Sequence, residues 1–499
     1  MAITLGPIVG VSHDQVRIRF KYGKKHKLNL RLEADGGEPL QADFTPDADQ
    51  WVTARFDNLQ PHTRYRYTIT TSAGERLNLS GKAAFTTFPA PGQPVDFRFA
   101  FFSCHRPFQE IRVLPAGVRV PKWLKIPFLT QRGTILIPSS MRMWQALESM
   151  LDSEAAPEFM LGLGDQLYLD DAWIAFSKKM RKNPDAVRDE DIRAEFAEFY
   201  RRFWDFPELR RVAERCPWLM VWDDHEITDG WGSHGDEEVS PVKQKLYRHA
   251  RDSYAEHQLM HNPFVDSSKG YYAFRYGEAG FVVLDLRRYR SARHKILLGD
   301  AQWQWLQNWL AGEGQACKVI FIVCSVPFVH FTSHFTQIMG NRLGYLLLKK
   351  SGAADDFIDQ WNSDPFVHEA ERMARLLFDH ANNSDTRFVF LGGDVHVATM
   401  AVVRSHLKEH EFHPVIYQFT SSPISNNPTP LNKLVERFAP EISFGDDVPF
   451  SGRLLKVIAR RNFGIVDVRK NPRTSAYGVT FELHSDRGDT TDIHRFPTI

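Results

Sequence analysis

Apolar and polar positions alternate in a run of short segments early in the chain: "QVRIRF" at 15 to 20, "LNLRLEA" at 28 to 34, "WVTARF" at 51 to 56 and "YRYTITT" at 65 to 71. Period two, with Gly, Asp and Pro between segments, predicts half-buried strands joined by turns, and hence a small β-sandwich over residues 1–92. The proline-rich "FPAPGQPVD", 88 to 96, reads as the linker that ends this region. From 93 to 499 the pattern changes. Apolar runs with few polar breaks alternate with segments of helical period, such as "MWQALESML" (143 to 151), "IRAEFAEFYRRFW" (192 to 204) and "DAQWQWLQNWL" (300 to 310). Strands buried on both faces and covered by helices have this signature, so the second region is expected to be α/β.

Composition narrows the function classes. A chain of 499 residues exceeds what one hydrophobic core usually serves, in keeping with two regions. Lys and Arg total 62 against 61 Asp and Glu, which leaves no electrostatic footprint for nucleic acid, and 43% apolar content argues against disorder. The first residues lack a basic segment followed by an apolar one, and no run of about 18 apolar residues occurs, so a cytoplasmic location is expected. The cysteines at 104, 216, 317 and 324 show no zinc-like pairing and are too few for a disulfide framework. They are expected to be reduced, with Cys216, Cys317 and Cys324 as inert core. The stretch "NLQPHTRYRYTIT" resembles the Leu-x-Pro-x-Thr-x-Tyr-x-Tyr signature of fibronectin type III-like domains, which implies a structural tyrosine corner at Tyr65.

The chemistry lies at the ends of the later strands. "FRFAFFSC" ends at Cys104, "EFMLGLGD" at Asp165, "WLMVWDD" at Asp223 and Asp224, "FVVLD" at Asp285 and "RFVFLGGD" at Asp394. One acid after a strand is ordinarily a turn or cap residue. Five ligand-capable endings on strands of one fold point at a shared rim, where gathered carboxylates repel unless cations neutralise them. Asp165, Asp224 and Asp394 offer hard oxygen, His225 and His396 imidazole, Cys104 thiolate and Tyr168 phenolate. Carboxylates suit calcium, magnesium or manganese, whereas thiolate and phenolate suit iron or zinc.

The motifs "FFSC" (101 to 104), "LGLGDQLYLDD" (161 to 171), "WDDHEITDGWG" (222 to 232), "LDLRRYR" (284 to 290), "LGDAQWQWL" (298 to 306), "LGGDVHVA" (391 to 398) and "TSSPISNN" (420 to 427) resemble, in order, those of the alkaline phosphatase D, or PhoD-like, metallophosphatases. The resemblance implies a four-layer α/β/β/α calcineurin-like fold after the sandwich, and phosphomonoesterase or phosphodiesterase activity. It also implies a site holding Fe(3+) with Ca(2+). Carried onto this chain, Cys104 is similar to the thiolate ligand, Asp165 to the carboxylate bridging metals and Tyr168 to the phenolate on iron. Asp224 stands where broader metallophosphatases carry a ligand asparagine. His225 takes the place of the histidine that contacts phosphate and protonates the leaving oxygen, and Asp394 and His396 that of the closing Gly-His-x-His motif. After "KVIFIVCS", where broader metallophosphatases have a ligand histidine, this chain has Ser325, with His330 and His334 the nearest histidines.

Other residues have less specific expectations. Arg287, Arg288 and Arg290 are candidates to hold phosphate, or else to pair with Asp285 or Asp229. Asp223 and Glu226 are expected to orient ligands rather than bind metal, and Asp170 and Asp171 to cap a helix. Inserts at 106–140 and 328–352 mix aromatic, aliphatic and basic residues, which suits an amphipathic lid over the site, with membrane contact the lesser reading. The expected activity is hydrolysis of a small-molecule or lipid-like phosphate ester by metal-activated hydroxide. The competing class is a scaffold or binding protein that keeps the metals as structure.

Overall fold

The computed structural model describes residues 3–113, 119–121, 133–233, 235–266, 268–330, 360, 361, 363, 365–384, 386–428, 441–443 and 448–499. Near the N-terminus, strands Ile3–Val11, Val16–Tyr22 and Gln50–Phe56 form one antiparallel sheet. Leu40–Phe44, Leu28–Ala34, Arg64–Thr71 and Ala84–Thr86 form a second. Alternation sets their faces: Leu28, Leu30 and Leu32 are buried while Arg31 and Glu33 are exposed. Strand Ile3–Val11 is buried along almost its whole length and escapes an alternation reading. Its outer side meets the rest of the chain, where Arg210 Nη2 donates to the Ile3 carbonyl at 2.7 Å. A Cβ on Gly10 would fall 2.1 Å from the His261 carbonyl oxygen, so only glycine permits that approach.

Beyond residue 93 the helical-period segments become helices Arg142–Met150, Asp189–Trp204 and Asp300–Ala311. The apolar runs become strands of two larger sheets. In the six-stranded sheet, Trp218–Val221, Phe159–Leu163 and Phe97–Phe102 run parallel. They continue antiparallel into Asn462–Lys470, Tyr477–Asp486 and Thr491–Arg495. In the eight-stranded sheet the parallel set is Ala279–Val283, Val319–Val323, Arg387–Gly392 and Val415–Thr420. The sheets meet through aromatic side chains: Phe99 packs edge-on against Phe281 and Phe321 at 5.2 and 5.1 Å, and Phe419 stacks on Phe481 at 4.6 Å. Each fully buried phenylalanine contributes roughly 1.5–3 kcal/mol, and these pairings add to it. On the far faces, Trp144 packs against Phe102, and Leu306 and Leu377 join one apolar cluster with Ile320, Ile322 and Phe390.

In the 106–140 insert, strands Phe108–Val113, Arg119–Pro121 and Gly133–Pro138 form a small antiparallel sheet. Beyond His330, the 328–352 insert lies outside the described residues, as does His334. All four cysteines are free and buried. Among the described residues no helix is long and apolar enough to cross a membrane.

Candidate metal centre

The parallel strands of both sheets end at one place. Cys104 follows Phe97–Phe102, Asp165 follows Phe159–Leu163, and Asp223 and Asp224 follow Trp218–Val221, three hydrogen-bonded neighbours in one sheet. From the other sheet come Ser325 after Val319–Val323, Asp394 and His396 after Arg387–Gly392, and Ser422 and Asn426 after Val415–Thr420. Close approach across this seam requires glycine: a Cβ on Gly164 would lie 2.4 Å from the Asp223 Cβ, and one on Gly393 2.6 Å from the Leu163 carbonyl.

The turns that deliver the donors are strained. Cys104, Asp165, Asp394 and His396 have φ of 57°, 56°, 61° and 54°, the left-handed region that non-glycine residues seldom adopt. Each such residue costs on the order of 1–3 kcal/mol and persists where its surroundings over-determine it. Hydrogen bonds supply that constraint. Asp394 N donates to Ser103 Oγ at 3.0 Å and His396 N to Ser422 Oγ at 3.1 Å. The Glu226 carboxylate accepts from Asp165 N (2.9 Å), Gln166 N (2.7 Å), Asp223 N (2.8 Å) and Gln258 Nε2 (3.0 Å). Burial nevertheless drives the Glu226 pKa up to about 7.

Side-chain donors then form three overlapping groups, each with its ligand atoms within 4.8 Å of one another: Cys104, Asp165 and His396; Asp165, Asp224 and His225; and Asp223, Asp224 and Asp394. Asp165 and Asp224 link them. Asp165 Oδ2 accepts from Cys104 Sγ at 3.4 Å and from the Tyr168 hydroxyl at 3.2 Å. Asp165 Oδ1 and Asp223 Oδ2 are buried with no hydrogen-bond partner among the described residues. Burial raises the pKa of the Asp165 carboxyl and the Cys104 thiol well above their ordinary values, and neighbouring acids add to the effect on each. Tyr168 is raised in the same way, by burial and then by Asp165 and Cys104. Partnerless buried carboxylate oxygens beside thiol, phenol and imidazole are what a cation site requires, so these residues fit metal ions.

His225 Nδ1 lies 2.7 Å from Asp170 Oδ2. Burial alone would lower the imidazole pKa, but the carboxylates of Asp170, Asp165 and Asp224 outweigh it and raise it well above the ordinary value. Burial opposes ionisation of Asp170, yet His225 and the Asp229 amide lower its pKa overall. An ionised carboxylate only accepts, so Nδ1–H donates and Nε2 is the nitrogen left for chemistry.

Asp285, Arg288 and His330 stand outside the donor groups, whereas Arg287 borders them, its Nη2 3.6 Å from Asp224 Oδ1. Asp285 caps its own turn, accepting from Trp222 Nε1 at 2.7 Å and from the Arg287 and Arg288 amides at 3.0 Å. It belongs to none of the donor groups. Fully buried Arg287 places Nε 2.5 Å from Asp223 Oδ1, which also accepts from Ser325 Oγ at 2.7 Å. Arg288 pairs with Asp285. Arg290 is buried over the Phe366 ring with Nε on Ser233 Oγ. Asp170 makes no cap hydrogen bond and instead holds His225, a correction to the capping expectation. His330 is buried, its pKa pushed down to about 3, and joins none of the donor groups. Sequence reasoning passed over Asn426, whose Nδ2 donates to the Tyr168 hydroxyl at 3.1 Å and to His396 Nδ1 at 3.3 Å. The motif "TSSPISNN" was the available signal, without indicating which of its residues faces the site.

A family model described as PhoD-like phosphatase matches residues 139–474. The chain belongs to the PhoD-like phosphatase family. Alkaline phosphatase D of Bacillus subtilis (strain 168) is 24% identical over 382 residues, covering 71% of this chain and 54% of the relative. The chain thus spans about half the length of that curated PhoD-like relative. A solved structure titled "Structure of PhoD" superposes with a TM-score of 0.66 at 17% identity, covering 99% of this chain and 89% of that one, which shows the fold. Cys104 lies ahead of the segment matched by the PhoD-like model, yet its side chain touches Asp165 and the Asp394 carbonyl within that segment.

Proposed function

We propose that this chain is a metal-dependent phosphoric ester hydrolase acting on phosphate monoesters, diesters or both. The observation that carries the reading is the convergence, at the carboxyl ends of two packed sheets, of buried donors around partnerless carboxylate oxygens. Family membership supports phosphoester hydrolysis. The residues that would hold metal are Cys104, Asp165, Tyr168, Asp224, Asp394 and His396, with the thiol and phenol favouring Fe(3+) and the carboxylates Ca(2+). Bound cations at such a site would supply charge neutralisation at the phosphoryl oxygens and would make a water acidic enough to lose a proton to solvent, leaving hydroxide as the nucleophile for phosphorus. Asp170 keeps the His225 ring fixed with Nε2 free, so the protonated imidazole delivers its proton to the departing oxygen. Asp223 and Glu226 hold the strand ends in place, through Arg287 and Ser325 on one side and backbone amides on the other. We further propose that the larger sheets and their helices form a four-layer α/β/β/α calcineurin-like domain, residues 93–499. Residues 1–92 would form a fibronectin type III-like one.

The test is turnover. Metal-loaded protein is expected to hydrolyse aryl phosphate monoesters or diesters, and absence of hydrolysis across both classes and a broad pH range would return the chain to a scaffold reading. Metal analysis is expected to find iron with an oxygen-preferring divalent ion and visible absorption that Cys104→Ser diminishes. Colourless, iron-free protein fully active with zinc or manganese would overturn the iron assignment alone.

A further inference from the structure

Arg106 stands two residues beyond Cys104, at the start of the segment expected to be a lid. Its guanidinium carbon lies 4.9 Å from the centroid of the Tyr168 ring. That ring is 4.1 Å from the His225 ring, and its hydroxyl bonds Asp165 and Asn426. Arg106 and the proton donor thus both lie against the Tyr168 ring, whose hydroxyl belongs to the donor cluster. Its side chain is half-buried, Nε is buried without a hydrogen-bond partner, and no carboxylate pairs with it among the described residues. The arginines of "LDLRRYR" differ: Arg287 and Arg288 are paired with Asp223 and Asp285, and Arg290 is buried over Phe366. The positive charge of Arg106 also acts on His396 and Asp170.

We propose that Arg106 is the phosphate clamp of this site, its guanidinium held against the Tyr168 ring and binding non-bridging oxygens of the substrate's phosphoryl group. A guanidinium resting on an aromatic face keeps its in-plane N–H donors directed outward, in the fork that matches two phosphate oxygens. The proposal rests on the hydrolase reading for its substrate, but not for its anion chemistry.

The test compares the metal-loaded full chain with Arg106→Ala, Arg106→Gln and Arg106→Lys. Charged hydrogen bonds of this kind contribute enough that Arg106→Ala and Arg106→Gln should weaken competitive inhibition by inorganic phosphate, and raise KM for an aryl phosphate, by about 10- to 100-fold. Metal content and visible absorption should stay at the parent level, and Arg106→Lys should recover part of the loss. Unchanged phosphate inhibition and KM in both neutral variants would overturn the clamp. Loss of metal in both would also overturn it, moving Arg106 into the support of the donor cluster. Calorimetric titration with inorganic phosphate separates this proposal from the hydrolase reading. A parent protein that binds phosphate but turns nothing over removes the reading, while loss of that binding in Arg106→Gln keeps the clamp.

Discussion

The N-terminal sheets and the rim of the larger sheets use the same unusual backbone conformation to opposite ends. In the first region, left-handed non-glycine residues are Asp49, Asn58 and His62, all exposed at turns. At the rim they are Cys104, Asp165, Asp394 and His396, buried or half-buried and rich in donors. A left-handed Asn or Asp in an exposed turn is locally satisfied and needs no further explanation. A buried one holds strain that tertiary hydrogen bonds sustain, and here the residues so held carry the metal-capable side chains. Comparison of the regions therefore separates residues that close a fold from residues that serve chemistry.

The largest expected effect falls at the rim. His225→Ala should lower turnover by about 10²- to 10⁴-fold, with the deepest loss for substrates with poor leaving groups. Metal content should be retained. Loss of metal with no leaving-group dependence would make His225 chiefly a ligand. Measured together, turnover on two aryl leaving groups and metal content decide the matter.

A second prediction tests the junction of the two regions. His261 lies against Gly10, and its Nε2–H donates to the Trp218 carbonyl at 2.6 Å. Burial pushes its pKa down to about 4 from an ordinary 6.5, against the opposing effect of that hydrogen bond. The unfolded chain thus takes up the proton at a higher pH than the fold does. Stability from neutral His261 is fully present above pH 6.5 and is lost as pH falls toward 4, by up to about 3 kcal/mol. Replacing His261 with Gln, even at a lower stability near pH 7, should flatten the acid limb of a stability-against-pH curve. An equally steep limb would remove His261 from acid unfolding.

Legibility in the sequence followed the same division. Period two revealed Val16–Tyr22, Leu28–Ala34, Gln50–Phe56 and Arg64–Thr71, but missed the exposed Leu40–Phe44 and failed at Ile3–Val11, which is covered on both sides. Helical period located Arg142–Met150, Asp189–Trp204 and Asp300–Ala311 because each buries one stripe. Strand endings revealed most of the donor cluster but could not separate Asp285 from the others, since a strand-end acid that caps its own turn has the same local pattern. Asp170, Asn426 and Arg106 were hidden for a different reason. They come from loops and a helix start whose positions depend on how the two sheets close, which no local period encodes.

Among the places where the two regions meet is the π-helical turn Ala255–Leu259. Arg19 Nε donates to the Glu256 carbonyl at 3.2 Å, and Trp51 packs edge-on against His257. The next residue, Gln258, bonds both Glu226 and the Tyr200 hydroxyl. Gln258→Leu keeps the volume and removes those bonds, so it should reduce metal affinity or activity by about 10- to 100-fold, as loss of outer partners does at metal sites. Metal titration with unchanged affinity and unchanged turnover would show that the N-terminal sheets only add bulk.

The smallest effect should come from within the N-terminal sheets. The Gln60 amide donates to the Tyr65 hydroxyl at 3.0 Å, while the Tyr65 ring stacks on Phe85 at 5.6 Å. Tyr65→Phe preserves the stack and leaves one amide without its acceptor. A hydrogen bond of this type contributes about 0.5–1.5 kcal/mol, so the urea midpoint should fall by the corresponding amount. Among the described residues nothing ties this hydroxyl to Glu226 or to the donor cluster, and kcat, KM and metal content should not move. A clear loss of turnover in Tyr65→Phe would mean that the N-terminal sheets act on the rim as a whole, rather than through Arg19, Trp51 and the turn that carries Gln258.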